Sequence, residues 1–599
     1  YMCGIAGVIH KEGLSYYANI EQMNLAQKHR GPDDSGIVKL NNAIFGHTRL
    51  SIVDINSGHQ PMSCNNKNIT ISFNGEIYGY KNLRKDLDYD FITHSDTEVI
   101  VALYKQYGFT MFSKLKGMFA FGIWDAEKKS LLLARDRFGE KPLYYAFGNN
   151  GEFVFASEIK AIIASNLVKP KVSKKALGHY LQYLYIDPLE TIYENIHTLE
   201  PGCFLEFVND KVNINRYYHY PKTQDILIDD ATNIFKEKFE KSVENQLIAD
   251  VDVGAFLSGG LDSSTIVAVA KKYKTNLKTF SFGFEGSKSE LSYAREIASK
   301  YNTNHYELFA EDVDISQILL KMADVYDEPF ADSSNIPTYL ISKLAREHSK
   351  VVLTGDGADE LLGGYGWWYD PLLGIGEPSN YFKEMTLRVL AKSLFKSDQS
   401  RANRMKYGRR YTTVKDAHLD RSTNFNNNEV NDLLNMNYSK IRFYAFEEEN
   451  TINDALNIDL QEYMTGDILV KTDRASMANS LELRSPFLDV DFASFCISLP
   501  ASLKITNKAD KLILRKAYQD TWTKSIRSRS KQGFGAPIGQ WLKQKNMVAL
   551  KDEYFKRHRA IFSYVSFDVA KKYFFKDNYQ TWILLVLSIW FEKNVEYIE

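Results

Sequence analysis

Two places in this 599-residue chain gather residue types that can do chemistry. The first is Cys3. A thiol has a reference pKa of about 8.5 and an α-amine one of about 7.7–8.0, so a cysteine at a true N-terminus carries its own weak base. An isolated cysteine more often just opens a buried strand. The second is the string Phe256-Leu257-Ser258-Gly259-Gly260-Leu261-Asp262-Ser263-Ser264. It follows an expected strand and opens an expected helix, the geometry in which main-chain N–H groups and a helix dipole converge on an anion. Gly259 and Gly260 let the backbone approach phosphate oxygens, and Ser258 and Ser263 add hydroxyl donors. Asp262 beside phosphates implies a divalent cation between them, Mg2+. The GxxxxGK[ST] pattern is missing and the loop has no lysine. A plain glycine turn explains Gly-Gly but not the whole string.

The elements that must hold these residues fall into two rhythms. The first ~200 residues carry short β-branched and aromatic runs between Gly, Asn and Asp, as in Ile69–Phe73, Met118–Trp124, Ser130–Ala134 and Phe153–Ala156. Helical spacing interrupts them at Thr97–Tyr107, giving a layered α+β pattern. From about Asp229 strands alternate with helices. The helices are Ala231–Gln246, Asp262–Tyr273 and Glu290–Lys300, and the strands Val251–Leu257, Lys278–Phe284, His305–Phe309 and Lys350–Leu353. That alternation implies a doubly wound parallel sheet. The seam lies in the polar stretch Tyr217–Asp230, which contains Pro221. Beyond Gly364 the chain reads as mostly helical, with the Asn-rich stretch Asn424–Asn437 as an exposed loop and Trp582–Phe591 as a buried helix.

Composition excludes several classes. Apolar residues make up 44% and charged residues 25%, which argues against a disordered or fibrous chain. The 74 Lys+Arg balance 75 Asp+Glu, so no basic excess points to nucleic acid or anionic lipid. The 4 cysteines are too scattered for a disulfide framework and fit a reducing cytoplasm. The run Trp582–Phe591 is about half the ~20 residues that span a bilayer, and the start has no secretory pattern. A cytoplasmic protein without membrane or nucleic-acid partners is expected.

The string around Gly259 resembles the PP-loop, SGGxDS, of the ATP pyrophosphatases, which cleave ATP between the α and β phosphates. Such a domain transfers AMP to an acceptor. In the first half, His29-Arg30-Gly31-Pro32-Asp33, Arg49-Leu50-Ser51-Ile52-Val53-Asp54, Asn74-Gly75-Glu76-Ile77-Tyr78 and Ser95-Asp96-Thr97-Glu98 occur in order. Together they resemble the glutaminase domain of the class II glutamine amidotransferases. The combined layout is similar to the glutamine-dependent asparagine synthetase family. Further blocks agree, among them Arg135–Tyr145, Leu353–Glu360, Asp473–Met477, Ser485–Asp489 and Lys531–Gly535.

The resemblance implies an α+β N-terminal-nucleophile domain, an αββα sandwich, over residues 1–217. An α/β doubly wound synthetase domain with a helical C-terminal extension follows over 230–599. It makes Cys3 the nucleophile on glutamine and Arg49 the clamp for its α-carboxylate, a bidentate task that suits guanidinium. Ile52 and Val53 complete the pocket, Asp96 and the Glu76 region hold the α-amine, and Asn74 with the Gly75 N–H forms the oxyanion hole. In the second half Leu257, Ser258, Gly259, Gly260, Ser263, Phe282, Thr354 and Gly355 receive ATP. Asp262 and Asp359 serve Mg2+, Lys531 offsets charge as the acyl-adenylate forms, and Asp356 assists that step. An apolar passage should carry ammonia between the sites, and a homodimer is expected.

Two departures bear on these roles. Tyr1 and Met2 precede Cys3; Met2 reads as an initiator removed because cysteine is small, and Tyr1 as an added residue. The family usually has Gly-Glu-Gly where this chain has Gly355-Asp356-Gly357, and often Arg-Ala-Ser where it has Ser333-Ser334-Asn335. Aspartate is the expected acceptor, ahead of a uronic acid of a nucleotide sugar. A catalytically silent or ammonia-only relative is the third reading.

Overall fold

The computed structural model describes residues 3–11, 13–64, 67–283, 290–309, 313–377, 381–393, 396–419, 423–439, 451–529 and 536–598. Among the described residues, twelve strands build the first half: β1 (Gly4–Ile9), β2 (Asp34–Lys39), β3 (Ala43–Arg49), β4 (Met62–Ser63), β5 (Ile69–Ile77), β6 (Gly117–Asp125), β7 (Ser130–Arg135), β8 (Tyr144–Phe147), β9 (Phe153–Ala156), β10 (Ile196–Thr198), β11 (Cys203–Val208) and β12 (Lys211–Arg216). They form two six-stranded sheets, ordered β10-β8-β9-β1-β3-β2 and β12-β11-β7-β6-β5-β4. Strand β1 shows why the sequence takes this form. Ile5 and Ile9 enter the core between the sheets with Phe45, Trp124, Leu133 and Phe155. Ala6 and Val8, on the opposite face by the two-residue period, pack with Ile20 and Met23 of helix Tyr17–Ala26. Helix Asp96–Tyr107 covers the other sheet through contacts with β5, completing four layers, helix–sheet–sheet–helix.

The second half holds a parallel sheet of β13 (Val253–Phe256), β14 (Lys278–Gly283), β15 (Asn304–Phe309), β16 (Val351–Leu353) and β17 (Glu482–Arg484), ordered β15-β14-β13-β16-β17. The expected alternation is present. Helices Ile228–Gln246, Leu261–Tyr273 and Glu290–Lys300 separate these strands, and no helix or strand covers 217–227. One hydrophobic cluster runs from Cys3, Ile52 and Phe73 through Phe235 and Val253 to Leu353, so the core continues across the seam. Trp582–Phe591 lies inside a buried helix, Tyr579–Ile598, as expected, and no described helix is long and apolar enough to cross a membrane.

Two expectations need correction. The Asn-rich stretch is not an open loop, because helix Asn427–Leu434 occupies its centre. Asn426 and Glu429 close a capping box, and Val430, Leu433 and Leu434 are buried on one face. Strand β5 also runs four residues past Phe73, so Asn74, Gly75 and Glu76 are sheet residues paired with Ala120, Phe119 and Met118.

Candidate active sites

Cys3 stands just before β1, fully buried. Its N–H donates to Asn74 Oδ1 at 2.9 Å, and Arg30 Nε donates to its carbonyl at 3.0 Å. The Asn74 side-chain amide is thereby oriented, and its Nδ2 is buried with no partner among the described residues. A buried donor left unmatched is costly, so it marks a place where an acceptor arrives. Gly75, next on β5, has φ 151°, and a Cβ there would lie 2.1 Å from the Met118 carbonyl oxygen. Only glycine lets the backbone sit so tightly at this point.

Burial pushes the Cys3 thiol up to about 11, against a hydrogen bond from the Leu50 backbone and the nearby charge of Arg49. The thiol therefore needs a base. Arg49, only 1% exposed, donates to the carbonyls of Ile55 at 3.1 Å, Asp54 at 2.7 Å and Val53 at 3.4 Å. Asp96 begins helix Asp96–Tyr107 and accepts from the Ile77 N–H at 3.0 Å; burial raises its pKa. Burial, and then the Asp96 charge, push Glu76 up to about 8. Cys3, Arg49, Asn74, Glu76 and Asp96, far apart in sequence, thus converge at one end of the sandwich.

In the second half, β13 leads into the Ser258–Gly260 loop and helix Leu261–Tyr273. Ser258 and Ser263 hydroxyls meet at 3.1 Å, and the Gly260 N–H donates to Ser258 Oγ at 3.3 Å. Gly259 has φ 67°, and a Cβ on it would come 2.5 Å from the Tyr293 Cβ. Leu257, Ser258, Asp262, Ser263, Phe282, Thr354, Gly355, Asp356 and Asp359 line one cavity of about 360 Å³. Gly259 and Gly260 line a smaller neighbour of about 60 Å³ together with Ser258 and Asp262. Lys531 lies outside the described residues.

Three cations of the smaller cavity are absent from the sequence-based set: Lys511, Arg515 and Arg529. Lys511 Nζ sits between the two carboxylates expected to serve Mg2+, 2.6 Å from Asp262 and 2.5 Å from Asp359. Mg2+ is commonly held by one or two carboxylates plus substrate phosphates, so Asp262 and Asp359 fit an ion that enters with a nucleotide. Arg529 donates to the Gly259 carbonyl at 3.0 Å and pairs with Glu290.

Around the Ser333-Ser334-Asn335 stretch, Asp332 accepts from the Ser334 N–H at 2.9 Å and from Lys471 Nζ at 2.9 Å. The Lys471 charge holds the Asp332 carboxyl at about 2 despite burial. Burial, and then the neighbouring Asp332 charge, raise Asp467 well above the usual carboxylate range. Asp356 accepts from Thr354 Oγ1 at 3.0 Å.

Two buried ion networks join the halves. Arg30 binds Asp473 through both terminal nitrogens, at 2.8 and 2.9 Å, and Glu158 at 2.8 Å. Arg484, at the end of β17, reaches Glu482 at 2.7 Å, Glu76 at 3.3 Å and the carbonyls of Gln246 and Ile248 at 2.8 Å. These two networks bury charge at the seam between the halves. Buried arginines satisfied on several sides are tolerated because every charge is matched. Arg484→Met is expected to lower stability by about 3–5 kcal/mol by leaving the buried Glu482 carboxylate unmatched, read as a shift in the denaturant midpoint.

A "Glutamine amidotransferase domain" profile matches residues 2–218 and the "Asparagine synthase" profile matches 235–592. The chain is similar to asparagine synthetase [glutamine-hydrolyzing] 1 of Bacillus subtilis, 35% identical over 99% of this chain and 97% of that one. Asparagine synthetase B of Escherichia coli is 33% identical over 67% of this chain and 71% of its own. A solved glutamine phosphoribosylpyrophosphate amidotransferase from B. subtilis aligns at TM-score 0.29 and 16% identity, covering 59% of this chain and 82% of that one.

Proposed function

The chain belongs to the asparagine synthase family, with a glutamine amidotransferase domain in front, and on that premise we propose that Cys3 frees ammonia from glutamine for a cytoplasmic amide synthesis driven by ATP. The observation that carries the first step is the Cys3–Asn74 pair: the nucleophile's own N–H orients an amide whose Nδ2 has no partner among the described residues. Attack of the Cys3 sulfur on the glutamine side-chain carbonyl places negative charge on its oxygen, and Asn74 Nδ2 with the Gly75 N–H receives it. Ammonia leaves, and water releases glutamate from the thioester. Arg49 suits the α-carboxylate, and Asp96 with the backbone around Glu76 suits the α-ammonium, with Ile52 and Val53 packed at the same end. The base is the Cys3 α-amine, freed once Tyr1 and Met2 are removed.

In the second half the acceptor carboxylate attacks the α-phosphorus of ATP, and pyrophosphate leaves toward Lys511, Arg515 and Arg529. Ammonia then displaces AMP from the acyl carbon and gives the amide. Asp262 and Asp359 would hold Mg2+, which screens phosphate charge when bound. Leu257, Phe282, Thr354 and Gly355 face the nucleotide, and Asp356 the forming adenylate.

Aspartate is the proposed acceptor; the full-length B. subtilis relative, named an asparagine synthetase, supports it. Ammonia must reach the adenylate unprotonated, so a passage across the seam belongs to the same reading. The test is pyrophosphate release from ATP with aspartate against uronate nucleotide sugars. Release with aspartate alone supports the assignment, and release with a uronate alone overturns it.

A further inference from the structure

We propose that Asp250, in the synthetase half, is a positioning residue for glutamine binding: it fixes the turn that shapes both ends of the glutamine site. The turn centres on Asp54, which stands in the left-handed region at φ 46°. A non-glycine residue stays there where its surroundings over-determine it, and here four groups do so. The Asp54 carbonyl accepts from Arg49 Nη2 at 2.7 Å. Its carboxylate accepts from the His94 N–H at 2.9 Å, two residues before Asp96, and from Ser57 Oγ at 2.7 Å. Its own N–H donates across the seam to Asp250 Oδ2 at 2.8 Å, while the Asp250 N–H returns a bond to the Ile52 carbonyl at 3.0 Å. One residue thus ties the carboxylate clamp to the segment carrying the amine-binding carboxylate, and the partner half holds that residue in place.

A second grip lies beside it. Lys350 Nζ pairs with Asp33 Oδ2 at 2.8 Å, and the same oxygen accepts from the Ser51 N–H at 2.8 Å. Asp250 stands three residues before β13 and Lys350 one residue before β16. The opposite ends of those two strands open into Ser258–Gly260 and Thr354–Asp356, which line the nucleotide cavity. The strands that carry the ATP loops therefore grip the glutamine turn from their other ends.

The inference rests on Arg49 and Asp96 being the glutamine clamps, so the experiment includes both layers. Asp250→Ala is expected to raise the KM for glutamine about fivefold, and Asp250→Ala with Lys350→Met about tenfold, at unchanged glutaminase kcat. Ammonium-driven amide synthesis should stay at the wild-type rate. Asp250→Asn keeps an acceptor oxygen for the Asp54 N–H and should restore the wild-type KM, which a merely structural role would not require. An unchanged KM in Asp250→Ala, or an equal fall in ammonium-driven synthesis, overturns the proposal. If Arg49→Lys and Asp96→Asn also leave the KM unchanged, the clamp assignment beneath it fails. If they raise it and Asp250→Ala does not, the positioning role alone fails.

Discussion

Cys3→Ala is expected to cut glutamine-driven amide formation by at least about a thousandfold while ammonium-driven formation continues, because removing the nucleophile of a covalent mechanism removes the whole unit that acts with it. The split follows from the geometry. Cys3 belongs to the sandwich, and the nucleotide cavity is lined from the parallel sheet and the helices that follow it. Ammonium supplied from solution needs only the second site. The same reasoning makes the N-terminus decisive. Burial raises the thiol to about 11, so at neutral pH almost none is ionised without a base at hand. Protein checked by mass spectrometry to begin at Cys3 should hydrolyse glutamine, and protein retaining Tyr1-Met2 should not. Glutamine hydrolysis at equal rates in the two forms would remove the α-amine from the mechanism. Glutamine-driven synthesis surviving Cys3→Ala would remove the thiol as well.

What could be read from the residues alone follows the range of the interactions concerned. Ser258–Ser263 were legible because strand, glycine turn and helix start lie within a few consecutive positions and their chemistry is local. The parallel sheet was legible for the same reason, since each strand and crossover helix carries its own period. Strand β17 was not: Glu482-Leu483-Arg484 is three residues with two charges, and it is a strand only because Leu353 and its neighbours pair with it. The helix Asn427–Leu434 was hidden by its asparagines, which read as loop residues. Yet the Asn426–Glu429 capping box and the apolar spacing Val430-Leu433-Leu434 were the signal present. Arg30, Arg484 and Asp250 act through partners 443, 408 and 196 positions away, separations over which no local pattern can speak. Their burial or their reach across the seam becomes visible only once the halves are assembled.

Lys511 belongs to the same long-range class and carries the largest expected effect in the second half. Among the described residues it is the cation that touches both Asp262 and Asp359, and it lines the cavity formed by the glycine loop. When pyrophosphate departs, negative charge grows on the oxygen leaving the α-phosphorus. An ammonium already in position stabilises that charge without reorganisation. Lys511→Met is therefore expected to lower the rate of acceptor-dependent pyrophosphate release by about a hundred- to a thousandfold. Glutamine hydrolysis at Cys3 should persist, since none of the described partners of Lys511 belongs to the glutaminase site. Arg529→Met should do less, because that guanidinium is already engaged with Glu290 and with the loop carbonyls. Lys511→Arg keeps the charge but not the compact shape that fits between the two carboxylates, and should recover only part of the rate. If Lys511→Met left adenylation intact, its ammonium would be only a structural counter-ion for Asp262 and Asp359. The charge on the departing pyrophosphate would then have to be met by Arg515 and Arg529, and Arg529→Met would have a larger effect than Lys511→Met.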